Sequence, residues 1–273
     1  MTEPTAKRSV RAADVAGRRV LVRVDFNVPL VNGEVGDDTR IRAALPTIRH
    51  LLDRGAKVIL VSHLGRPKGK ADPRYSLGPV AQRLADLLGR TVVLAPGVVG
   101  QEVATAVNAL PPGWVLLLEN VRFEPGEERN DPAFAAALAE LADLYVDDAF
   151  GAAHRAHAST VGVAARLPAY AGFLLERETA MLSRLLAAPA RPFIAILGGA
   201  KISDKLAVVD NLLDRVDGLL LGGGMANTFL LAQGHPIGRS LAEPDRVADA
   251  GAILDRARAR GVAVELPLDL VVA

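Results

Sequence analysis

The feature that most constrains this fold is the alternation of short apolar runs with amphipathic stretches along the chain. Several runs are nearly continuous in Val, Ile and Leu, which is typical of strands covered on both faces in a parallel sheet. The apolar runs predict strands at 20–24, 57–61, 91–94, 114–118, 144–147, 192–197, 218–221 and 262–272. Between them, amphipathic stretches predict helices at 40–53, 77–88, 100–110, 132–142, 203–213 and 244–260. This order predicts an α/β fold with Rossmann-like, doubly wound parallel sheets and right-handed crossovers.

One helical stretch interrupts the alternation and divides the chain. It covers 173–186, follows no clear strand, and is closed by the proline-bounded sequence AAPARP. We therefore predict a first domain at 1–172, a linking helix at 173–189 and a second domain at 190–273. The second domain has three predicted strands, and no helix follows the last one, so a sheet face and an edge are left uncovered. We expect two doubly wound domains joined by a helix, with the second domain incomplete.

Composition and charge exclude several classes of protein. The 273 residues include no Cys, which rules out disulfides, thiolate catalysis and Cys-type metal sites and suits a reducing cytoplasm. Lys and Arg total 32 against 31 Asp and Glu, so a nucleic-acid or membrane partner is not expected. The N-terminus lacks the apolar segment of a signal peptide, and a buried strand and helix explain the glycine-rich stretch 218–234 better than a membrane span does. We expect a cytoplasmic protein.

Polar and charged side chains of the first domain follow the predicted strands at the points where the strands end. In open α/β sheets, ligands bind beyond the carboxyl ends of the strands. The side chains expected at this rim are Asp25, Asn27, His63, Arg66, Arg122 and Arg155, with Arg40 at the start of the first helix. Guanidinium groups bind carboxylate and phosphate bidentately, so we expect a small, doubly anionic ligand with a hydroxyl group that Asp25 or Asn27 reads. For any single arginine, the alternative is a solvated surface charge.

The second domain carries glycine-rich turns after its first two strands. The first turn reads GGAKISDK at 198–205, and glycines before a helix allow backbone N–H groups to approach phosphate. Lys201 and Lys205 are four residues apart and would repel each other on a helix face unless an anion offset them. The second turn contains Gly222, Gly223 and Gly224, which leave room for a flat group such as adenine. A tight turn alone explains this triplet equally well.

Other motifs are absent or weak. No G-x-x-x-x-G-K-[ST] sequence occurs, and no G-x-G-x-x-G follows a strand, which counts against a nicotinamide dehydrogenase. His154 and His157 have no carboxylate at helical spacing, so we predict no metal site there. Asp147 and Asp148 offer a place for a cation, although loop and cap positions suit them better.

Taken together, these segments resemble the phosphoglycerate kinase family, whose members pass a phosphoryl group between 1,3-bisphosphoglycerate and ADP in glycolysis. The matching segments are RVDFNVP (23–29), DDTRI (37–41), SHLGRP (62–67), LENVRF (118–123), DDAFGAAHRAHAS (147–159), GGAKISDK (198–205) and GGGMANTF (222–229). They follow the order found in the family, and the resemblance extends from about residue 8 to the end of the chain.

The resemblance implies a role for each matched residue. Asp25 and Asn27 resemble the pair that reads the hydroxyl and carboxylate region of the glycerate. The basic patch that grips the 3-phosphate end and the carboxylate is matched by His63, Arg66, Arg122 and Arg155. Arg40 resembles the arginine that stabilises the phosphoryl group in flight, which makes it a catalytic residue together with Lys205. Lys201 and Lys205 resemble the lysines that meet the nucleotide phosphates, and Gly222, Gly223 and Gly224 resemble one wall of the adenosine pocket.

The implied mechanism is direct in-line transfer with Mg²⁺ and ADP or ATP, in which no protein nucleophile takes part. Hinge closure around 173–189 is expected to bring the ligands together, and the family implies a monomer when complete. The family's metal-binding aspartate lies in a C-terminal part that this sequence does not contain, so no metal ligand is assigned here.

Two hypotheses follow from the length of the sequence. Either the sequence is part of a complete phosphoglycerate kinase, or the chain binds 3-phosphoglycerate without transferring phosphate. A dinucleotide-binding protein would require the missing glycine fingerprint.

Overall fold

The computed structural model describes residues 8–269 of the chain. The chain separates into two compact units, with the division between Met181 and Leu182 inside a helix. None of the helices within residues 8–269 is long and apolar enough to cross a membrane.

The first unit is built around a six-stranded parallel sheet. The six strands are β1 (Arg19–Arg23), β4 (Lys57–Val61), β5 (Val92–Leu94), β6 (Val115–Leu117), β7 (Leu144–Asp147) and β8 (Ala169–Ala171). Between β1 and β4 the chain forms a separate antiparallel hairpin of β2 (Leu30–Val31) and β3 (Glu34–Val35). The order in the sheet is β5-β6-β4-β1-β7-β8. The chain leaves β1 toward β4 on one side and later returns to β7 on the other. The strand order therefore reverses at β1, where doubly wound sheets form their binding crevice.

Helices cover both faces of this sheet. They are α1 (Thr39–Asp53), α2 (Gly78–Leu88), α3 (Gln101–Ala109), α4 (Pro132–Ala139) and α5 (Phe173–Ala187), the last of which continues into the second unit. Residues of β1 alternate between the two cores: Val20 and Val22 belong to one buried cluster and Leu21 to the other. Because both faces are buried, the middle of the strand, residues 20–22, is apolar instead of alternating between apolar and polar residues.

The second unit contains a three-stranded parallel sheet of order β11-β10-β9. Its elements are β9 (Ile194–Gly198), α6 (Leu206–Leu213), β10 (Gly218–Gly222), α7 (Gly224–Ala232), α8 (Val247–Arg260) and β11 (Ala263–Glu265). One buried cluster joins the sheet to all three helices, through side chains such as Leu219, Phe229 and Ile253. The sheet's other face is exposed at Ile194 and Ile196.

The structure confirms the predicted α/β class and places a strand or helix in each predicted segment. It corrects one expectation, because β8 directly precedes α5, where no strand was expected. The hairpin of β2 and β3 was also missed, since each strand has only two residues. The last predicted strand, 262–272, is observed as Ala263–Glu265, and its residues 270–272 lie outside the described residues.

Candidate functional site

The carboxyl ends of four neighbouring strands carry the polar side chains that the sequence predicts for the rim. Strands β6, β4, β1 and β7 are consecutive in the sheet, so the segments that follow them leave from the same edge. Asp25 follows β1, His63 follows β4 and Arg122 follows β6. This edge of the first unit is the candidate site.

Asp25 and Arg40 form an ion pair at this edge. Arg40 Nη1 donates to Asp25 Oδ2 at 2.6 Å, with the Arg40 side chain 52% exposed and the Asp25 side chain 12% exposed. A Cβ atom at Gly151 would lie 2.7 Å from Asp25 Oδ2, so glycine leaves room for the carboxylate. The pair therefore presents a half-exposed guanidinium group beside a carboxylate that is held in place.

Asn27 joins the loop after β1 to the loop after β4. Its Oδ1 accepts a hydrogen bond from the backbone N–H of Gly65 at 2.9 Å. Gly65 has a φ of +59°, and a Cβ atom there would lie 2.4 Å from the ring of Tyr75, so glycine is required on both grounds. These contacts fix the loop that carries His63 and Arg66.

His63 is buried and neutral. Its pKa is lowered to about 2, first by burial and then by the neighbouring Arg23, Arg122, Arg155 and Arg40. Arg23 Nη2 lies 3.1 Å from His63 Nδ1. An arginine has only donors, so Nδ1 is the acceptor and the single ring proton sits on Nε2. His63 therefore has an Nε2–H group that can donate to an anionic ligand.

The three remaining arginines differ in how firmly they are held. Arg122 is buried, and its Nη1 donates to the carbonyl oxygen of Gly65 at 2.7 Å, while Glu128 lies 3.2 Å from its Nε. Arg155 is half-buried and close enough to lower the pKa of both His63 and Arg122. Arg66 is exposed and forms no hydrogen bond or ion pair with the part of the chain that the structure describes. The structure thus groups Arg40, Arg122 and Arg155 around His63, whereas no observed contact draws Arg66 into this group.

A buried network beneath the rim was not predicted from the sequence. Arg23 is 1% exposed; its Nε donates to Ser159 Oγ at 2.9 Å, and its Nη1 donates to the carbonyl oxygen of Val24. Ser159 Oγ donates in turn to Glu127 Oε1 at 2.6 Å. Burial raises the pKa of Glu127, but the hydrogen bond to His157, the charge of Arg23 and the hydrogen bonds from Ser159 outweigh burial and leave the pKa lowered. Glu127 is therefore a buried carboxylate that balances the charge of Arg23.

One sequence signal was available for this network. An arginine at the end of a strand whose other residues are buried needs a partner inside the protein, because an unpaired buried charge is costly. Arg23 occupies such a position in β1. Glu127 lies in a turn with no periodic pattern, and only the fold shows that it is fully buried.

Asp148 caps the start of α5. Its Oδ1 accepts a hydrogen bond from the backbone N–H of Leu174 at 2.8 Å. A Cβ atom at Gly172 would lie 2.2 Å from the same oxygen, which shows how closely the backbone approaches. Among residues 8–269, no group of three or more His, Asp or Glu side chains could hold a metal ion.

The two glycine-rich turns of the second unit pack against each other. A Cβ atom at Gly223 would lie 2.9 Å from the carbonyl oxygen of Gly199, and one at Gly224 would lie 3.0 Å from that of Ala200. Gly223 also has a φ of +67°. Tight packing therefore explains two of the three glycines. A Cβ atom at Gly222 would meet nothing within 4 Å, so this glycine borders open space.

The two lysines of this unit lie beside the first turn but do not share a helix face. Lys201 is exposed and precedes the short 3₁₀ turn Ser203–Lys205, and α6 begins only at Leu206. The expected repulsion across a helix face is therefore wrong. A Cβ atom at Gly199 would lie 3.3 Å from Lys205 Cε, so the Lys205 stem crosses the glycine turn. Lys201 lies near Glu243, whose pKa is lowered chiefly by hydrogen bonds from Ser203 and to a smaller extent by the charge of Lys201.

Comparison with known proteins identifies the family. The family model described as phosphoglycerate kinase matches residues 10–273. The phosphoglycerate kinase of Desulforudis audaxviator is 61% identical over 268 residues, and that of Pelotomaculum thermopropionicum is 58% identical over the same length. Each alignment covers 98% of this chain and 68% of the relative.

Solved structures give the same result. The structure of phosphoglycerate kinase from Coxiella burnetii matches with a TM-score of 0.84 at 42% identity and covers 96% of this chain and 66% of that one. The enzyme from Pyrococcus horikoshii matches with a TM-score of 0.81 at 33% identity, over 94% of this chain and 67% of that one. This chain therefore spans about two thirds of the length of these relatives, and it belongs to the phosphoglycerate kinase family.

Proposed function

We propose that the first unit binds 3-phosphoglycerate, or the matching end of 1,3-bisphosphoglycerate, at the rim of its parallel sheet. The observation that supports this best is the group of cationic side chains around neutral His63. A phosphate and a carboxylate need several positive charges and N–H donors, and arginines supply both in a fixed geometry. His63, Arg66, Arg122 and Arg155 would hold these anionic groups. Asp25 and Asn27 would read the hydroxyl, since the amide nitrogen of Asn27 makes no hydrogen bond within residues 8–269.

In this proposal the second unit binds the phosphates of ADP or ATP. Lys201 and Lys205 would contact them beside the glycine turn, and the open space at Gly222, bordered by Gly223 and Gly224, would take the adenosine. Mg²⁺ would arrive as part of the nucleotide substrate. No side chain within residues 8–269 is assigned to the metal, because no group of three or more His, Asp or Glu side chains there could hold one.

The proposed reaction is phosphoryl transfer between an acyl phosphate and a nucleoside diphosphate. The attacking oxygen belongs to ADP and the leaving group to the substrate, so the protein needs no nucleophile and contributes positioning and charge stabilisation. Arg40, half-exposed beside Asp25, would meet the transferred group from the first unit. Lys205 would meet it from the nucleotide side. A cytoplasmic location and hinge closure around 173–189 remain parts of the same proposal.

Calorimetry of the chain with 3-phosphoglycerate tests the substrate part of this proposal. We expect saturable binding that weakens at least tenfold in Arg155→Met, which keeps the apolar stem but removes the charge. Arg90→Met is the matched control, because Arg90 lies at the amino end of the sheet just before β5. No binding by the unchanged chain, or equal loss in both variants, would contradict the assignment.

A coupled assay with 1,3-bisphosphoglycerate and Mg-ADP then separates two functions. The second candidate is binding of 3-phosphoglycerate without transfer, and it is supported by the first unit alone, because every predicted substrate-binding residue lies within that unit. Turnover would assign the kinase reaction to the chain itself. Binding without turnover would leave the chain with substrate recognition alone.

A further inference from the structure

We propose that Asn120 is a positioning residue that holds His63 and Arg122 in the arrangement needed to bind the phosphorylated ligand. This inference rests on the proposed function for its ligand and on hydrogen bonds for its geometry. Asn120 directly precedes the short 3₁₀ turn Val121–Phe123 and is completely buried. It lies within LENVRF, yet its side chain is on the inner side of the rim.

All four hydrogen-bonding positions of the Asn120 side chain are occupied. Oδ1 accepts from the backbone N–H groups of Leu64 at 3.2 Å and Arg122 at 3.1 Å. Nδ2 donates to the carbonyl oxygens of Leu64 at 2.7 Å and Tyr75 at 2.9 Å. A side-chain amide has two donors and two acceptor lone pairs, so this one is fully used. It has no position left for a ligand and acts only through the backbone that it holds.

The donors and acceptors also fix the orientation of the amide. Two N–H groups face its oxygen and two carbonyl groups face its nitrogen, so a flipped amide would place like against like at each contact. Asparagine is therefore specified as a combined donor and acceptor, and neither aspartate nor leucine can replace it at equal shape. A buried polar group that loses its partner costs more than the bond contributed.

The backbone held by Asn120 carries the binding side chains. Leu64, whose N–H and carbonyl are both bonded, lies next to His63, so this clamp limits where the His63 ring can sit. The backbone N–H of Arg122 donates to Asn120 Oδ1, and Arg122 Nη1 donates to the carbonyl oxygen of Gly65. The contact to Tyr75 keeps its ring against Gly65. One amide thus fixes the relative positions of two side chains that come from different strands.

A second layer supports the amide. Glu119 Oε2 accepts from the backbone N–H of Asn120 at 2.8 Å, and Glu119 Oε1 accepts from Ser76 Oγ at 2.6 Å. The main chain of Asn120 is therefore tied as well as its side chain. This arrangement favours positional precision over simple burial, because apolar packing would need no such network.

The test compares Asn120→Asp with two controls in the 273-residue chain. The substitution keeps the shape and both acceptors but turns both donors toward Leu64 and Tyr75 into acceptors. Asn108→Asp makes the same chemical change at an exposed position in α3. Val107→Ala removes volume from a buried position in the same helix and controls for a general loss of stability. Binding is measured at a temperature at which every variant is fully folded.

With 3-phosphoglycerate as the titrant, we expect Asn120→Asp to bind at least tenfold more weakly than the unchanged chain, and both controls within twofold of it. Binding by Asn120→Asp within twofold of the unchanged chain would overturn the proposal, as would an equal loss in Val107→Ala. Should Asn120→Asp fail to fold, Asn120→Ser, which adds neither charge nor bulk, is judged by the same limits.

Ligand-free spectra separate this proposal from the proposed function. If the unchanged chain does not bind 3-phosphoglycerate, the proposed function fails. The nitrogen resonances of the His63 ring and of Arg122 Nε, recorded without ligand, then test whether Asn120 positions these two side chains. Shifts of both resonances in Asn120→Asp, but not in Asn108→Asp, would support positioning by Asn120. Unchanged resonances would refute it.

Discussion

A histidine that stays neutral in the folded protein makes folding sensitive to acid. The pKa of His63 is lowered from 6.5 to about 2, chiefly by burial and by Arg23. In the unfolded chain the ring titrates near its ordinary value. As the pH falls below 6.5, the unfolded state takes up a proton that the folded state does not, so stability decreases.

We predict that His63→Asn removes this acid sensitivity. The Asn oxygen keeps an acceptor for Arg23 near the position of Nδ1, but the amide does not titrate. Between pH 7 and pH 5, the unchanged chain should lose about 2 kcal/mol more free energy of unfolding than the variant. Urea unfolding followed by the single tryptophan, Trp114, reports the first unit at both pH values. Parallel losses in the two proteins would contradict a low pKa for His63.

At the scale of an element, the carboxyl group of Asp148 at the start of α5 changes the stability with pH in the opposite direction to His63. Asp148 is fully buried, and its pKa is raised to about 6, chiefly by burial and against its hydrogen bonds from Thr47 and from the backbone of α5. Its Oδ2 has no partner within the described residues. Between pH 3.8 and pH 6 the carboxyl group is therefore largely protonated in the folded state and ionised in the unfolded state. This group alone makes the folded state less stable as the pH rises through 6.

We predict that Asp148→Asn stabilises the chain more at pH 8 than at pH 5. The amide oxygen can still accept from Leu174, and the buried charge is gone. Linkage predicts a gain on the order of 1 kcal/mol at pH 8 relative to pH 5. Urea unfolding at both pH values measures this gain, with Asp131→Asn as control, since Asp131 caps α4 at an exposed contact. A variant that is less stable at pH 8 would show that the carboxylate charge itself stabilises α5.

Strands were predictable from the sequence where several consecutive residues are apolar. β1 and β4 each have five residues with four buried, so their apolar runs are easily seen. β8 reads Ala-Tyr-Ala, and its position depends on its pairing with β7, which the local sequence does not contain.

The candidate site likewise has a part that local sequence patterns predict and a part that depends on contacts between distant residues. The placement of His63 and Arg122 at one edge of the sheet was predictable because residues after parallel strands reach the same edge. Arg23, Ser159 and Asn120 were missed because their partners are distant in sequence: Arg23 and Ser159 are 136 residues apart, and Asn120 and Leu64 are 56 apart. Such networks depend on the packing of the whole unit, so the side chains at the rim could be placed from the sequence and the buried network that supports them could not.

At the scale of the whole molecule, the two units differ in how their sheets are covered. Buried clusters lie on both faces of the first sheet. In the second unit, Ile196 is 77% exposed and Leu220, its cross-strand neighbour, is 38% exposed. Within residues 8–269, no helix covers these two side chains. Adjacent exposed apolar side chains on an uncovered sheet face favour association.

We predict that the 273-residue chain self-associates through this face and that Ile196→Thr reduces the association. Threonine keeps the β-branched shape that suits a strand while replacing the ethyl branch of isoleucine with a hydroxyl that water can solvate. Light scattering after size exclusion should show a mass that rises with concentration for the unchanged chain and less so for the variant. Leu219→Thr lies on the same sheet but points into the core, so it should destabilise the second unit and increase association. Equal masses for the unchanged chain and Ile196→Thr at every concentration would mean that the exposed strip does not drive contact between copies.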